Sequence, residues 1–177
     1  MDIDYVGKIV TYDDIFSSDK HSKIWNYVRR MNYRLDGISS SDEYNIRYKE
    51  SSNFLYGDLN DAEIKDDIIK HSLFANFEIS RVYANGHFVD GGLPHKDDLK
   101  KGSFTFIYYP HLEWEYYWGG ETLFFDDYSN LVRCVIPKPN SAVIFDSRII
   151  HFARSASSYA NIDSGFRITI AVKMKTR

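Results

Sequence analysis

The sequence predicts a mainly β protein of the α+β type, with a sheet-rich core and helices packed outside it. Three observations carry this reading. From about residue 77 the hydrophobic period becomes two, and seven short strand-like runs follow with no helix between them. Aromatic residues reach 16%, with 14 Tyr and 12 Phe, which suits strands and the lining of a cavity. Before residue 77 the apolar spacing is helical instead, which assigns residues 1–76 as a helical support region and 77–177 as the β core of one domain.

In chain order, "SSDKHSKIWNYVRRM" offers Ser17 or Ser18 as a cap, and Ile24, Tyr27, Val28 and Met31 then fall on one helix face. "NDAEIKDDIIKHSLF" reads as a second helix, with Asn60 as its cap, acids in the first turn and Ile64, Ile68 and Ile69 as its stripe. The strands that follow are "FEISRVYAN", "SFTFIYYPHL", "ETLFFDDY", "LVRCVIPK", "SAVIFDS", "IIHFARSAS" and "FRITIAVKMK". Turn-forming stretches such as "GHFVDGGLP", "WGG", "DDYSN" and "KPNS" separate them. Short strands at this spacing argue for an antiparallel sandwich or barrel.

A net charge of −3 provides no field that would attract nucleic acid. The single cysteine, Cys134, excludes an intrachain disulfide, and its place in "LVRCVIP" suggests a buried, inert thiol. "MDIDYVGKIV" lacks the pattern of a secretory signal, and no apolar run reaches the ~20 residues that span a membrane. A cytoplasmic protein without membrane partners is the expectation.

The chemistry begins at "PHKDD". Side chains two apart on an extended chain share a face, so His95 and Asp97 can converge on one ion whereas His95 and Asp98 point apart. A site of the two-histidine, one-carboxylate type needs a second imidazole. His21 and His71 lie on the helices, where solvent is their expected neighbour. His87 falls in the glycine-rich loop, and His111 follows Pro110 at a strand end. His151 differs, because "SRIIHFARS" is a late strand-like run. Arg148 and Arg154 flank it off its face and read as surface or rim residues. Taken alone, each histidine reads first as a hydrogen-bonded or surface residue. Arg167 adds weight: an arginine amid the apolar strand "FRITIAVK" is costly to bury unless it meets an anion, and Thr169 shares its face. A structural salt bridge with one of the 25 acids is the plain alternative.

In order, "RVYANG", "PHKDD", "FTFIYYP", "WGGETLFF", "IPKPNSAVIFDSRIIHFARS" and "FRITIAVK" resemble the Fe(II)/2-oxoglutarate-dependent dioxygenases, specifically the prolyl 4-hydroxylase-like branch. The resemblance covers about residues 77–174 and implies a double-stranded β-helix, or jelly roll. It implies that His95, Asp97 and His151 bind Fe(II), and that Arg167 holds the distal carboxylate of 2-oxoglutarate with Thr169 assisting. It also implies co-substrate contacts for Tyr83 and Tyr109, though both fit core packing as well. Lys173 is a candidate by type, but its place beyond Arg167 assigns it to the outer strand. O2 would be the co-substrate and ascorbate the reductant. The implied reaction hydroxylates an unactivated C–H, first of all a prolyl residue in a peptide or protein, and releases succinate and CO2. A small metabolite (sugar, nucleotide or amino acid) is the second substrate class. A non-catalytic jelly-roll metal-binding protein and a zinc hydrolase are the other readings, and the latter leaves Arg167 without a task. "SASSYANIDSG", between His151 and Arg167, is longer than in many relatives and is expected to shape the substrate entrance. Trp114, Tyr116, Tyr117 and Trp118 could line a groove or anchor a hairpin.

Overall fold

Alternation at period two places one set of side chains on each face of a sheet, and the strands after residue 77 use both faces. The computed structural model describes residues 8–35, 54–87, 92–158 and 160–177. The strands are β1 (Ile9–Tyr12), β2 (Leu55–Asp58), β3 (Phe77–His87), β4 (Ser103–Tyr109), β5 (Thr122–Phe125), β6 (Leu131–Val135), β7 (Ser141–Asp146), β8 (Ile150–Ala153) and β9 (Arg167–Thr176). The helices are α1 (Ser18–Val28) and α2 (Glu63–Ile69).

A six-stranded sheet runs β1-β7-β4-β9-β3-β2, and a three-stranded sheet runs β6-β5-β8. Every pairing is antiparallel. An isolated bridge between His95 and His151 extends the smaller sheet. Ile9, Tyr109, Val143 and Phe145 of the large sheet pack with Phe124 and Val135 of the small one in a single apolar cluster. Two facing antiparallel sheets of this kind form the expected jelly roll.

The other face of the large sheet is covered by the helices. Ile24, Trp25 and Val28 of α1 and Ile64 and Ile68 of α2 pack with Val82, Phe106, Ile168, Ile170 and Val172. The central strand β9 is therefore enclosed on both faces. Its even residues meet the helices, while its odd residues Arg167, Thr169, Ala171 and Lys173 line a cavity between the sheets.

All seven expected strands are present. Residues 1–76, read as helical, also supply β1 and β2, and both are edge strands of four residues. Ser17 caps α1, its side chain accepting from Lys20 N at 3.4 Å. Asn60 does not cap α2; the cap is Ala62. Its amide instead ties two strands, donating to Asp58 and accepting from Val82 N at 3.0 Å. Cys134 is exposed, contrary to expectation, because β6 is the outer strand of the small sheet.

His21 is also corrected: it is buried, and its Nε2 donates to the carbonyls of Pro110 and His111 at 2.9 and 3.1 Å. His111 in turn accepts the Ile168 N–H on Nε2 at 2.8 Å, which requires that nitrogen to be unprotonated. Burial, with the Arg167 cation beside it, pulls the His111 pKa down to about 3. An unfolded histidine titrates near 6.5, so below that pH the unfolded chain takes up the proton first and stability falls with pH. Between pH 6.5 and 4.5 we expect His111 to account for about 1.4 kcal/mol of lost stability per pH unit. His111→Gln, which keeps an acceptor and removes the titration, should flatten the curve by that amount in denaturant melts of the metal-free protein.

Candidate active site

His95 follows a proline and enters the small sheet through its bridge with His151: each backbone N–H donates to the other's carbonyl, at 3.0 and 2.9 Å. Their rings are thereby brought to 4.4 Å between centroids. Nδ1 of His95 lies 2.8 Å from Leu93 O, and Nδ1 of His151 lies 2.9 Å from Ile149 O. Carbonyl oxygens only accept, so each Nδ1 carries a hydrogen, and in a neutral ring that leaves each Nε2 lone pair free for a cation. Those lone pairs aim at Asp97, with His95 Nε2 3.5 Å from Oδ1 and His151 Nε2 3.4 Å from Oδ2.

The three ligand atoms lie within 4.8 Å of one another. Burial takes the His151 pKa down to about 3, with Asp97 opposing, so that ring is neutral. Burial alone would raise the Asp97 carboxyl, but Lys173, His151 and His95 outweigh it and hold the group well below the ordinary carboxylate range. Two imidazole Nε2 atoms and one carboxylate aim at a common point. A divalent cation resolves that arrangement, and the donor set suits iron or zinc.

Asp97 is fixed from behind. Its N–H donates to Ser147 O at 2.9 Å, and Thr105 Oγ1 donates to Oδ2 at 2.7 Å while contacting Ser147 Oγ at 2.9 Å. Asp98 has another task, accepting from Ser103 Oγ and Lys100 N to close the turn before β4. The acid that parity selects, Asp97, is the one grouped with the two histidines, although neither acid lies in a strand.

Arg167 is 1% exposed and lines the same cavity, which measures about 220 Å³. Nε donates to Gly120 O at 2.7 Å and one Nη to Thr122 Oγ1 at 3.0 Å. Among the described residues no carboxylate lies within 4.0 Å of it, although the Glu121 charge acts on it from farther off. The "WGG" turn makes this placement. Gly120 holds φ at +75°, and a Cβ there would lie 2.7 Å from the Trp114 ring and 3.2 Å from Arg167 Cδ.

Thr169 and Tyr83 line the same cavity. Tyr109 does not belong to the wall: it is 1% exposed, its hydroxyl bonds Thr122 Oγ1 at 2.8 Å, and its ring lies 5.6 Å from the Arg167 guanidinium. It backs the arginine. Arg148 pairs with Asp146, and Arg154 is largely exposed, so both keep to the rim.

Other residues were misplaced or missed. His87, read as a loop residue, ends β3 opposite Arg167 and faces the cavity. Burial takes its pKa to about 3. Lys173, assigned to the outside, lies in the cavity with its ammonium against the Asp97 carboxylate and 3.3 Å from Thr105 Oγ1. Parity from Arg167 is the signal that finds it. Asn85 faces Thr169 across the strands, and Asn85 Oδ1 and His87 Nδ1 are buried with no partner among the described residues. Orphaned polar atoms beside a cation with no carboxylate partner among the described residues are a cradle that a polar ligand would fill.

The aromatic segment is an anchor. Trp114 donates to Gly119 O and packs on His111 and Trp118, while Tyr116 and Tyr117 are exposed and outside the cavity lining. The long loop is pinned to the same turn through Gly120 N to Ser155 O and Ser157 N to Trp118 O. Asp163 in that loop pairs with Arg29 of the segment after α1. None of the loop's described residues lines the cavity.

A family model described as the 2OG-Fe(II) oxygenase superfamily matches residues 80–172. No curated protein sequence matches the chain. Among solved structures, a Trichoplax adhaerens prolyl hydroxylase in complex with a hypoxia inducible factor peptide fragment aligns over 96% of this chain and 84% of its own. The TM-score there is 0.65 at 13% identity. A Pseudomonas putida prolyl-4-hydroxylase aligns over 98% and 96%, with TM-score 0.64 and 14% identity. The α-ketoglutarate-dependent epimerase SnoN of nogalamycin biosynthesis aligns over 96% and 78%, with TM-score 0.67 and 12% identity. At these identities the likeness is one of fold. No helix among the described residues is long and apolar enough to cross a membrane.

Proposed function

The chain belongs to the 2OG-Fe(II) oxygenase superfamily, and within it we propose a hydroxylase that uses 2-oxoglutarate and O2, with a prolyl residue of a peptide or protein as its first substrate. One observation carries the reading: three converging ligand atoms share one cavity with a buried arginine that has no carboxylate partner among the described residues. Bound ferrous iron would supply the oxidative chemistry, in which 2-oxoglutarate and O2 yield succinate and CO2 and one oxygen enters a C–H bond.

His95, Asp97 and His151 would hold the metal from one side and leave the other open. Arg167 would present its fork to the distal carboxylate of 2-oxoglutarate, with the Thr169 hydroxyl, Asn85 and His87 completing the polar contacts. Tyr109 would brace that arginine, and Tyr83 would close the wall toward Lys173. Leu93, Ile107, Ala153 and Ala171 supply apolar lining that keeps water from the reacting carbon. Ascorbate would serve as the reductant that restores ferrous iron.

The prolyl reading is supported by two prolyl hydroxylases among the structural neighbours. Cavity size favours a small metabolite as the second reading, since about 220 Å³ must hold the co-substrate and whatever reacts. Mass spectrometry distinguishes the two. We expect incubation with Fe(II), 2-oxoglutarate, ascorbate and proline-containing peptides to add one oxygen to proline with matching succinate release. Succinate release stimulated only by small metabolites would transfer the assignment to the second class. Neither outcome with any compound tested, in protein that binds iron, would contradict the hydroxylase reading.

A further inference from the structure

On the oxygenase reading given above, we propose that the substrate carries an acidic group, a carboxylate or a phosphate, held by Lys173 and Arg81. These two residues are direct cross-strand partners on β9 and β3, and both line the cavity. Like charges opposite one another on a sheet repel, so packing alone would not select this pair. An anion between them turns the repulsion into a clamp.

Asp97 is the counter-ion of Lys173, and a divalent ion held by Asp97 would draw on that same negative charge. The other neighbours of Lys173 among the described residues are Thr105 Oγ1 and Tyr83, whose side chain it also hydrogen-bonds, and neither is an acid. Arg81 stacks over Tyr83 at 4.5 Å and Tyr56 at 5.0 Å, and no carboxylate among the described residues comes within 4.0 Å of it. Asp58, the acid closest in influence, is turned to Asn60 at 2.8 Å.

The charge balance points the same way. Among the described lining residues, Arg81, Arg167 and Lys173 face a single carboxylate, Asp97. A divalent ion and the dianionic co-substrate cancel, which leaves a surplus of two positive charges where the substrate enters. Such a surplus within low-dielectric walls concentrates anions. Arg167 lies six residues from Lys173 on the same strand, so the two ends of the cavity hold separate anion sites, with the metal ligands closest to the Lys173 end.

The test uses Mn(II)-loaded protein saturated with 2-oxoglutarate, and as probes inorganic phosphate and [13C]acetate, read by paramagnetic line-broadening of the 31P and 13C signals. We expect saturable broadening of at least one anion, weakened about tenfold in each of Lys173→Gln and Arg81→Gln. Tighter phosphate marks a phosphate ester as the substrate, and tighter acetate a carboxylic acid. Absence of saturable broadening, affinity retained in either variant, or broadening abolished by 2-oxoglutarate would overturn the proposal. The oxygenase reading is checked separately in the same sample. If 2-oxoglutarate does not alter the water relaxivity of bound Mn(II), that reading fails, whatever the anions do.

Discussion

Replacing Asp97 by Asn should weaken Fe(II) binding and 2-oxoglutarate turnover by more than about a hundredfold, whereas Asp98→Asn should retain both. The two acids are neighbours in sequence and separated by task. Asp97 faces both histidine Nε2 atoms from 3.4 and 3.5 Å, while Asp98 closes a turn through Ser103 and Lys100. An amide at position 97 keeps the shape and the Thr105 contact but removes the negative charge that gathers a cation. It also leaves the Lys173 ammonium without its counter-ion, so thermal melts of both variants belong beside the metal titrations. Asp98→Asn should lose only about 1 kcal/mol of stability. A folded Asp97→Asn protein with full turnover, beside an inactive Asp98→Asn protein, would show that the carboxylate has been misassigned.

The second large effect concerns Arg167. Arg167→Met should reduce 2-oxoglutarate affinity by about a hundredfold or more while Fe(II) affinity stays within a few-fold of the parent. The arginine is held by Gly120 O and Thr122 Oγ1 but meets no carboxylate among the described residues, and it lines the cavity. Arg167→Lys keeps the charge and loses the fork, and its affinity should fall between the two. Equilibrium binding of 2-oxoglutarate to the Mn(II)-loaded variants measures this directly. Equal affinity in all three proteins would place the distal carboxylate elsewhere, with Lys173 the next cation to test.

Much of this site was legible because its signals are local. Parity on a strand places Thr169 on the face of Arg167, and parity around "PHKDD" selects Asp97. The same rule, carried two steps further, reaches Lys173, which was nonetheless assigned to the outside because the position lies near the strand's end. The residues that escaped depend on partners distant in sequence. β1 pairs with β7 and β2 with β3, and both are four-residue edge strands whose apolar pattern is too short to separate from a helix. His21 looks like a surface residue on a helix until the carbonyls of Pro110 and His111 arrive to bury it. Cys134 sits in an apolar run, yet β6 lies at the open edge of the small sheet. His87 was read with the glycines that follow it, but its backbone pairs with Arg167 and carries the ring inward. Asn60 has the chemistry of a helix cap and uses it to join two strands.

The central claim is that one cavity binds ferrous iron and 2-oxoglutarate together. The most direct measurement is an anaerobic titration of both into the metal-free protein, followed through the visible charge-transfer band that a 2-oxo acid chelated to Fe(II) produces. The account predicts that the band appears with one iron per chain, is lost in Asp97→Asn, and needs far more 2-oxoglutarate in Arg167→Met. Iron that binds stoichiometrically without any band would contradict it and would leave "PHKDD" holding a metal for another chemistry.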